Sequence, residues 1–456
     1  MVHSFKIDDC RIAADVNSGA VHVVEEIVFD ILRLIDKKPE EKCPDSVVDA
    51  LGGKYPKPDI YEAYNEIISL CNEGLLFSDD GYCDIAGSIH KEPIVKALCL
   101  HVSHDCNLRC GYCFAGTGNF SGSRCVMSEE TGRQAIDFVI KHSGSRRNIE
   151  IDFFGGEPLM NFDVVKKLTY YIKEQEKVHN KNFRLTMTTN GILLDDEKLE
   201  FINKHMHNLV LSIDGRRDVN DRMRKLVNGG GSYDIILPKI KAAAKSRNQD
   251  NYYVRGTFTR YNLDFCEDVL HLADEGFKQI SVEPVVGGAG EDYSIKKEDL
   301  PCIFSQYEKL AKEYIKRRLD GSWFNFFHFM IDLSQGPCVI KRMSGCGAGC
   351  EYLAVTPEGD IYPCHQFVGD KKFLMGNVAA GDFCIQKAQS FANTNIYTKP
   401  ACKECWARFY CSGGCHANAY RFGGDISVPY DIGCELERKR VECALYIKAM
   451  LQDTAD

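Results

Sequence analysis

A chain of 456 residues, 44% hydrophobic and 27% charged, has room for roughly two to four domains and a sizeable apolar core. Its net charge of −9 excludes the broad basic field of a general nucleic-acid or anionic-membrane binder. No run approaches about 18 consecutive apolar residues, and MVHSFKIDDCRIAAD lacks the basic-then-apolar order of a signal peptide. A cytoplasmic protein is therefore expected, in which the 22 cysteines point to metal rather than to disulfides.

Residues 1–93 form the first segment. SFKIDDCRIAADVNSGAVHVV reads as two or three short strands, with Asn17, Ser18 and Gly19 making a hairpin turn. EEIVFDILRLIDKK is an amphipathic helix, acidic at its start and lysine-bearing at its end. PDSVVDALGG and DIYEAYNEIISLCNEGLLF follow as two more helices, the last stopped near Gly74. Together they describe a small winged-helix-like module whose acidic helices make DNA a poor partner.

Residues 94–320 alternate in period. VKALCLHVS, NIEIDFF, FRLTMTT, NLVLSID, YYVRGTF and FKQISVEPVV read as strands. Helices are expected to start near Ser128, Phe162, Asp195, Tyr233, Asp264 and Lys297. Such β/α repeats with short connections predict an α/β fold, a parallel sheet curled into a full or partial (β/α)6 barrel. Chemistry on such sheets sits at the C-terminal strand ends, and the unusual residues gather there. Cys106 follows the first strand, Gly155-Gly156-Glu157-Pro158 the second, Thr188-Thr189-Asn190-Gly191 the third and Ser212 to Gly215 the fourth.

Residues 321–456 lose this regularity. Nine cysteines lie from Cys338 to Cys415, whereas none lies between Cys125 and Cys266. A segment so poor in periodic apolar residues is expected to be held together by metal rather than by a large core.

Cys106, Cys110 and Cys113, in the spacing C-x3-C-x2-C, leave a four-ligand metal with an open position, whereas a structural zinc site would be closed. CNLRCGYC, with Tyr112 before the third cysteine, resembles the motif of radical S-adenosylmethionine enzymes. In that family three cysteines hold three irons of a 4Fe-4S cluster and the cofactor's methionine end chelates the fourth. The competing reading is a zinc site or buried thiols. The resemblance extends to Gly155, Gly156 and Glu157, where Glu157 or a backbone carbonyl accepts from the cofactor's amino group. It implies that Thr189, Asn190, Ser212 and Asp214 contact ribose and carboxylate. Arg255 on the fifth strand pairs with the carboxylate, and Val285 to Gly288 flank the adenine.

Cys402, Cys405, Cys411 and Cys415, with Cys434 beyond and Cys346, Gly359 and Cys364 before, resemble the SPASM extension of peptide-modifying radical enzymes. The resemblance implies that Cys346, Cys364 and Cys415 hold one auxiliary 4Fe-4S cluster and that Cys402, Cys405, Cys411 and Cys434 hold a second. Cys350 or Cys338 is a candidate fourth ligand of the first, whose fourth iron is otherwise open to a substrate thiol. Two zinc ribbons are the competing reading. The remaining cysteines, among them Cys99 and Cys125, read as core or surface thiols.

The order of module, barrel and tail resembles maturases of ribosomally made peptides, especially the SCIFF thioether maturases. It implies three 4Fe-4S clusters, S-adenosylmethionine and a flavodoxin- or ferredoxin-type electron donor. It also implies a Cys-rich precursor peptide gripped by its leader and a Cys-to-Cα thioether product. Two alternatives stand beside it. Formylglycine-forming maturases carry Asp directly after the cysteine of Gly-x4-Cys, where this chain has His365. A non-catalytic iron–sulfur electron carrier has no use for an open iron.

Overall fold

The computed structural model describes residues 1–84, 92–288, 290–331 and 342–452. Cys338 lies outside them. Three antiparallel strands, β1 (Val2–Ile7), β2 (Cys10–Asp15) and β3 (Val21–Val23), open the chain. The β2–β3 turn is Asn17-Ser18-Gly19: Asp15 Oδ1 accepts from the N–H groups of Asn17 (3.2 Å) and Ser18 (2.8 Å), and Gly19 takes φ +77°.

Side-chain alternation divides this small sheet between two cores. Phe5, Ile7, Ile12 and Ala14 join the main core of the molecule, while Ala13 faces helices α1 (Glu26–Leu32), α2 (Asp45–Leu51) and α3 (Lys57–Asn72). Helix α1 ends at Leu32 with no basic residue in its last turn, so Lys37 and Lys38 lie beyond it and do not complement its dipole. The module is also tied to the tail. The buried Arg408 guanidinium donates to Asn17 Oδ1 (2.6 Å) and Asp80 Oδ2 (3.0 Å), and His3 stacks on Trp406 with ring centroids 3.7 Å apart.

Six parallel strands, β4 (Ala97–Ser103), β6 (Asn148–Gly155), β7 (Asn182–Thr189), β8 (Asn208–Ser212), β10 (Tyr252–Phe258) and β11 (Gln279–Pro284), lie side by side in chain order. Two short strands, β5 (Leu108–Cys110) and β9 (Arg224–Leu226), pair only with each other. The connecting helices are α4 (Glu129–His142), α5 (Phe162–His179), α6 (Asp196–His205), α7 (Arg217–Met223), α8 (Tyr233–Ser246), α9 (Phe265–Asp274) and α10 (Leu300–Leu319).

Period two decides what each strand shows to the two sides of the sheet. Ile149, Ile151 and Phe153 of β6, and Phe183, Leu185 and Met187 of β7, pack in the main core. The alternate positions supply Phe154, Thr188, Ser212, Arg255 and Glu283 to a cavity at the C-terminal strand ends.

The sheet does not stop with the sixth repeat. β12 (Asn325–Phe326) adds parallel to β11, and β13 (Tyr352–Val355) adds parallel to β4, with Tyr352 opposite Ala97. An antiparallel meander of β14 (Asp360–Tyr362), β15 (Gly376–Asn377) and β16 (Asp382–Phe383) completes an open 11-stranded sheet. The architecture is an α/β partial barrel with a parallel-dominated sheet, continuous across residue 320.

The tail departs from expectation in its packing. Small clusters such as Met343, Ile396, Cys402 and Phe409 do surround its cysteines. The C-terminal helix Asp431–Gln452, however, sends Leu436, Val441, Ala444 and Leu445 into the main core and packs against α10. Apolar burial, and not metal alone, anchors this end.

Candidate active site

The cavity at the strand ends has a volume of about 270 Å³, and Cys106, Cys110 and Cys113 all line it. The loop that carries them is fixed from outside. β5 pairs with β9 so that Cys110 lies opposite Arg224, and Gly111 N–H donates to Met223 O (2.8 Å). Tyr112 OH donates to Asp214 Oδ2 (2.7 Å), and Arg224 Nε donates to Asp214 Oδ1 (2.9 Å). Asp214 is fully buried and also accepts from Thr257 N–H (3.0 Å). It therefore stands behind the cavity wall, in a loop-holding hub, and does not line the cavity as the sequence reading placed it.

Donors face the first sulfur. Leu108 N–H lies 3.4 Å from Cys106 Sγ and Asn190 Nδ2 3.7 Å from it. Burial pushes the Cys106 thiol up to about 11 and the Cys110 thiol up to about 12. Held without a cation these sulfurs stay protonated; a metal is what makes three thiolates tenable on one wall.

Gly155, Gly156 and Glu157 form the opposite rim. Gly155 has φ +133°, and a Cβ there would sit 2.2 Å from Ser103 O; at Gly156 it would sit 2.2 Å from Asp105 O. Only glycine lets the loop after β6 approach the cysteine loop this closely. Both oxygens of Glu157 are engaged by protein donors, Thr189 Oγ1 (2.7 Å) and Leu159 N–H (3.1 Å) on one and Asn190 N–H (2.8 Å) on the other. Glu157 thereby clips the β6 and β7 loops together while still lining the cavity. Burial raises its carboxyl to about 7, against those three hydrogen bonds.

Thr189, Asn190, Ser212 and Arg255 line the cavity, as do Val285 and Val286. Arg255 Nε donates to Glu283 Oε1 (3.0 Å). Burial would raise Glu283, yet Arg255, His328 and Arg440 hold its carboxyl down at about 2, so this wall carries a fixed ion pair. His365 closes the far side, its Nδ1 3.1 Å from Tyr352 OH and its ring against Phe154 and Phe114.

The tail cysteines gather in one region. Cys364 lies within electrostatic reach of Cys415 and Cys346, and Cys350 is buried with its N–H donating to Gly347 O (3.1 Å). Cys402, Cys405, Cys411 and Cys434 together line a second cavity of about 440 Å³. Cys411 and Cys434 also share a neighbouring cavity of about 270 Å³ with Cys415, so the two sets of cysteines implied by the resemblance lie side by side.

Residues 100–291 match the Radical SAM superfamily, and residues 346–406 match the SPASM iron–sulfur cluster-binding domain. This is a radical SAM protein with a SPASM domain. It is 22% identical over 373 residues to the radical SAM cyclopropyl synthase TigE of Paramaledivibacter caminithermalis, covering 75% of this chain and 72% of that one. It is 24% identical to a cysteine-type anaerobic sulfatase-maturating enzyme of Clostridium novyi, covering 69% and 86%. Its fold is similar to that of Streptococcus suis SuiB bound to S-adenosylmethionine, with a TM-score of 0.53 and 16% identity over 95% of this chain and 98% of that one. The superfamily implies a 4Fe-4S cluster with S-adenosylmethionine, and the SPASM domain implies further iron–sulfur centres.

Two residues of this radical SAM protein had no signal in the sequence. Arg224 lies in DRMRKLVNGGG, where nothing marks it as the counter-charge to Asp214. Lys399, 1% exposed, donates from Nζ to Gly413 O (2.8 Å) and lies within electrostatic reach of Cys402, Cys411, Cys415 and Cys434. A buried cation among these four cysteines would offset negative charge on their sulfurs.

Proposed function

We propose that this radical SAM/SPASM enzyme modifies a ribosomally made, Cys-rich peptide, joining a cysteine sulfur to an α-carbon in a net two-electron oxidation. The observation that carries the reading is the pairing of an open-edged peptide-sized sheet with a thiol-walled cavity in one packed molecule. Among relatives, SuiB has been seen bound to its precursor peptide SuiA. Cys106, Cys110 and Cys113 would hold the radical cluster. Cys346, Cys364 and Cys415, with Cys350 in reserve, would hold one auxiliary cluster, and Cys402, Cys405, Cys411 and Cys434 the other. The radical cluster and S-adenosylmethionine, when bound, supply a carbon-centred radical that removes hydrogen from substrate carbon.

The chain's own residues do the rest. The β5–β9 ladder and the Tyr112–Asp214–Arg224 hub hold the cysteine loop still. The glycine pair lets the loop after β6 approach the cysteine loop, and the Arg255–Glu283 pair would offer a cationic edge to a carboxylate. Phe114, Phe154, Val285 and Val286 give the cavity an apolar lining. A low-potential flavodoxin or ferredoxin would deliver electrons. No helix among the described residues is long and apolar enough to cross a membrane.

The sulfatase-type reading is set back by one position: His365, not aspartate, follows Cys364. Incubating the reconstituted enzyme with a Cys-rich precursor peptide, S-adenosylmethionine and reductant should give a product lighter by two hydrogen atoms with one thiol no longer alkylated. Conversion of a cysteine to an aldehyde with loss of sulfur would reject thioether formation.

The leader would add to β3. The backbone bonds Asp15 N–H to Ala20 O and Val24 N–H to Arg11 O, together with the register Ile12–Val23, turn the N–H and C=O of Val21 and Val23 outward at the sheet edge. Val23 is 56% exposed. Val23→Pro removes an outward donor without touching the β2–β3 ladder. It should weaken leader-peptide binding about tenfold or more in fluorescence anisotropy, while peptide-free S-adenosylmethionine cleavage stays at the wild-type rate. Unchanged peptide affinity would remove β3 as the docking edge.

A further inference from the structure

A second metal-ligand cluster lies outside the cavity. Ligand atoms of His104, Cys125 and Glu358 lie within 4.8 Å of one another, and none of the three residues lines the cavity. Cys125 Sγ is 3.0 Å from Glu358 Oε1. His104 is buried, and its Nε2 is 3.0 Å from His101 Nδ1, which leaves Nδ1 as its second ring donor. Its backbone N–H donates to Cys125 O (2.8 Å), locking the two segments side by side.

We propose that His104, Cys125 and Glu358 form a zinc site that braces the base of the cysteine loop. One imidazole, one thiolate and one carboxylate is a mixed ligand set suited to Zn²⁺, with a fourth position for water. The set is supported from behind, because a ring nitrogen bonded to a neighbour fixes the orientation and tautomer of a ligating histidine, and His101 does this for His104. Ligands on tetrahedral zinc sit about 3–4 Å apart, so rotamer adjustments at Cys125 and Glu358, the two more exposed members, close the site.

Placement gives the ion its work. His104 stands just before Cys106, and Cys125 stands just past the loop that carries all three cysteines. Glu358 lies in the turn between β13 and β14. One ion would therefore tie both ends of the radical-cluster loop to the strand pair that the tail adds to the barrel sheet. Without a cation, burial, then the hydrogen bond to Glu358 and that carboxylate's charge, push the Cys125 thiol up to about 12. A divalent ion removes that conflict between thiol and carboxylate.

The test uses anaerobically reconstituted full-length holoprotein, incubated with Zn²⁺, desalted through a weak chelator and analysed for zinc and iron. Wild type should retain about one zinc per chain, and Cys125→Ser and Glu358→Gln should each retain at least about tenfold less with iron unchanged. In wild type alone, zinc should slow alkylation of Cys125, mapped by peptide mass spectrometry, by about tenfold or more. No retained zinc, equal zinc in wild type and variants, loss in only one variant, or an unprotected Cys125 would overturn the site.

Discussion

Replacing Cys106 with alanine should abolish 5′-deoxyadenosine formation and lower iron from about twelve to about eight per chain, with the other eight irons retained in the tail. Three sulfurs line the cavity, so losing one leaves two, too few to hold a cubane with a fourth iron reserved for the cosubstrate. Fold should survive, because the loop is held by the β5–β9 pairing and by Tyr112, neither of which uses the Cys106 side chain. Iron analysis and chromatography of the nucleoside read both halves. Retained turnover would move the radical centre elsewhere in the chain.

Asp214→Asn should destabilise the protein by about 3–5 kcal/mol, the cost of breaking a buried ion pair by removing one partner. Asp214 has no exposed surface, and the Arg224 side chain is 11% exposed. Burial works against the Arg224 cation, and Asp214, Tyr112 and Cys110 more than offset it, holding its pKa well above the ordinary value. An asparagine amide in that place faces three donors, from Tyr112, Arg224 and Thr257, with one acceptor oxygen. Because the hub anchors β9 and the loop at Tyr112, iron loading at the radical site should fall together with stability. Denaturant unfolding of the apoprotein, alongside iron content, separates the two effects. A change below about 1 kcal/mol would show that the hub is not what holds the loop.

The barrel was legible because its strands alternate every second residue and its helices every three to four. Ile149, Ile151 and Phe153 mark the core face of β6 as plainly in the sequence as in the sheet. The cysteine triad was legible from its spacing together with its resemblance to the radical S-adenosylmethionine motif. What escaped were features set by partners far along the chain. β12 has two residues and β13 four, too short for any period, so the extension of the sheet past residue 320 left no trace. The C-terminal helix was hidden by the charged stretch CELERKRVEC, although Leu436, Val441, Ala444 and Leu445 all reach the core. Asp214 and Glu157 read as ligand contacts because they end strands at the right level. Their engagement by Arg224, Thr189 and Asn190 depends on loop geometry that spacing does not encode. Cys125 read as an ordinary thiol because Glu358, its partner, lies more than two hundred residues on.

The most direct measurement is electron paramagnetic resonance of the anaerobically reduced protein before and after adding S-adenosylmethionine, with Cys106→Ala as the reference for signals from the tail. If one iron at the cysteine triad is left for the cosubstrate to chelate, the wild-type spectrum should shift on addition and the variant spectrum should not. A wild-type spectrum that S-adenosylmethionine leaves unchanged would contradict that assignment.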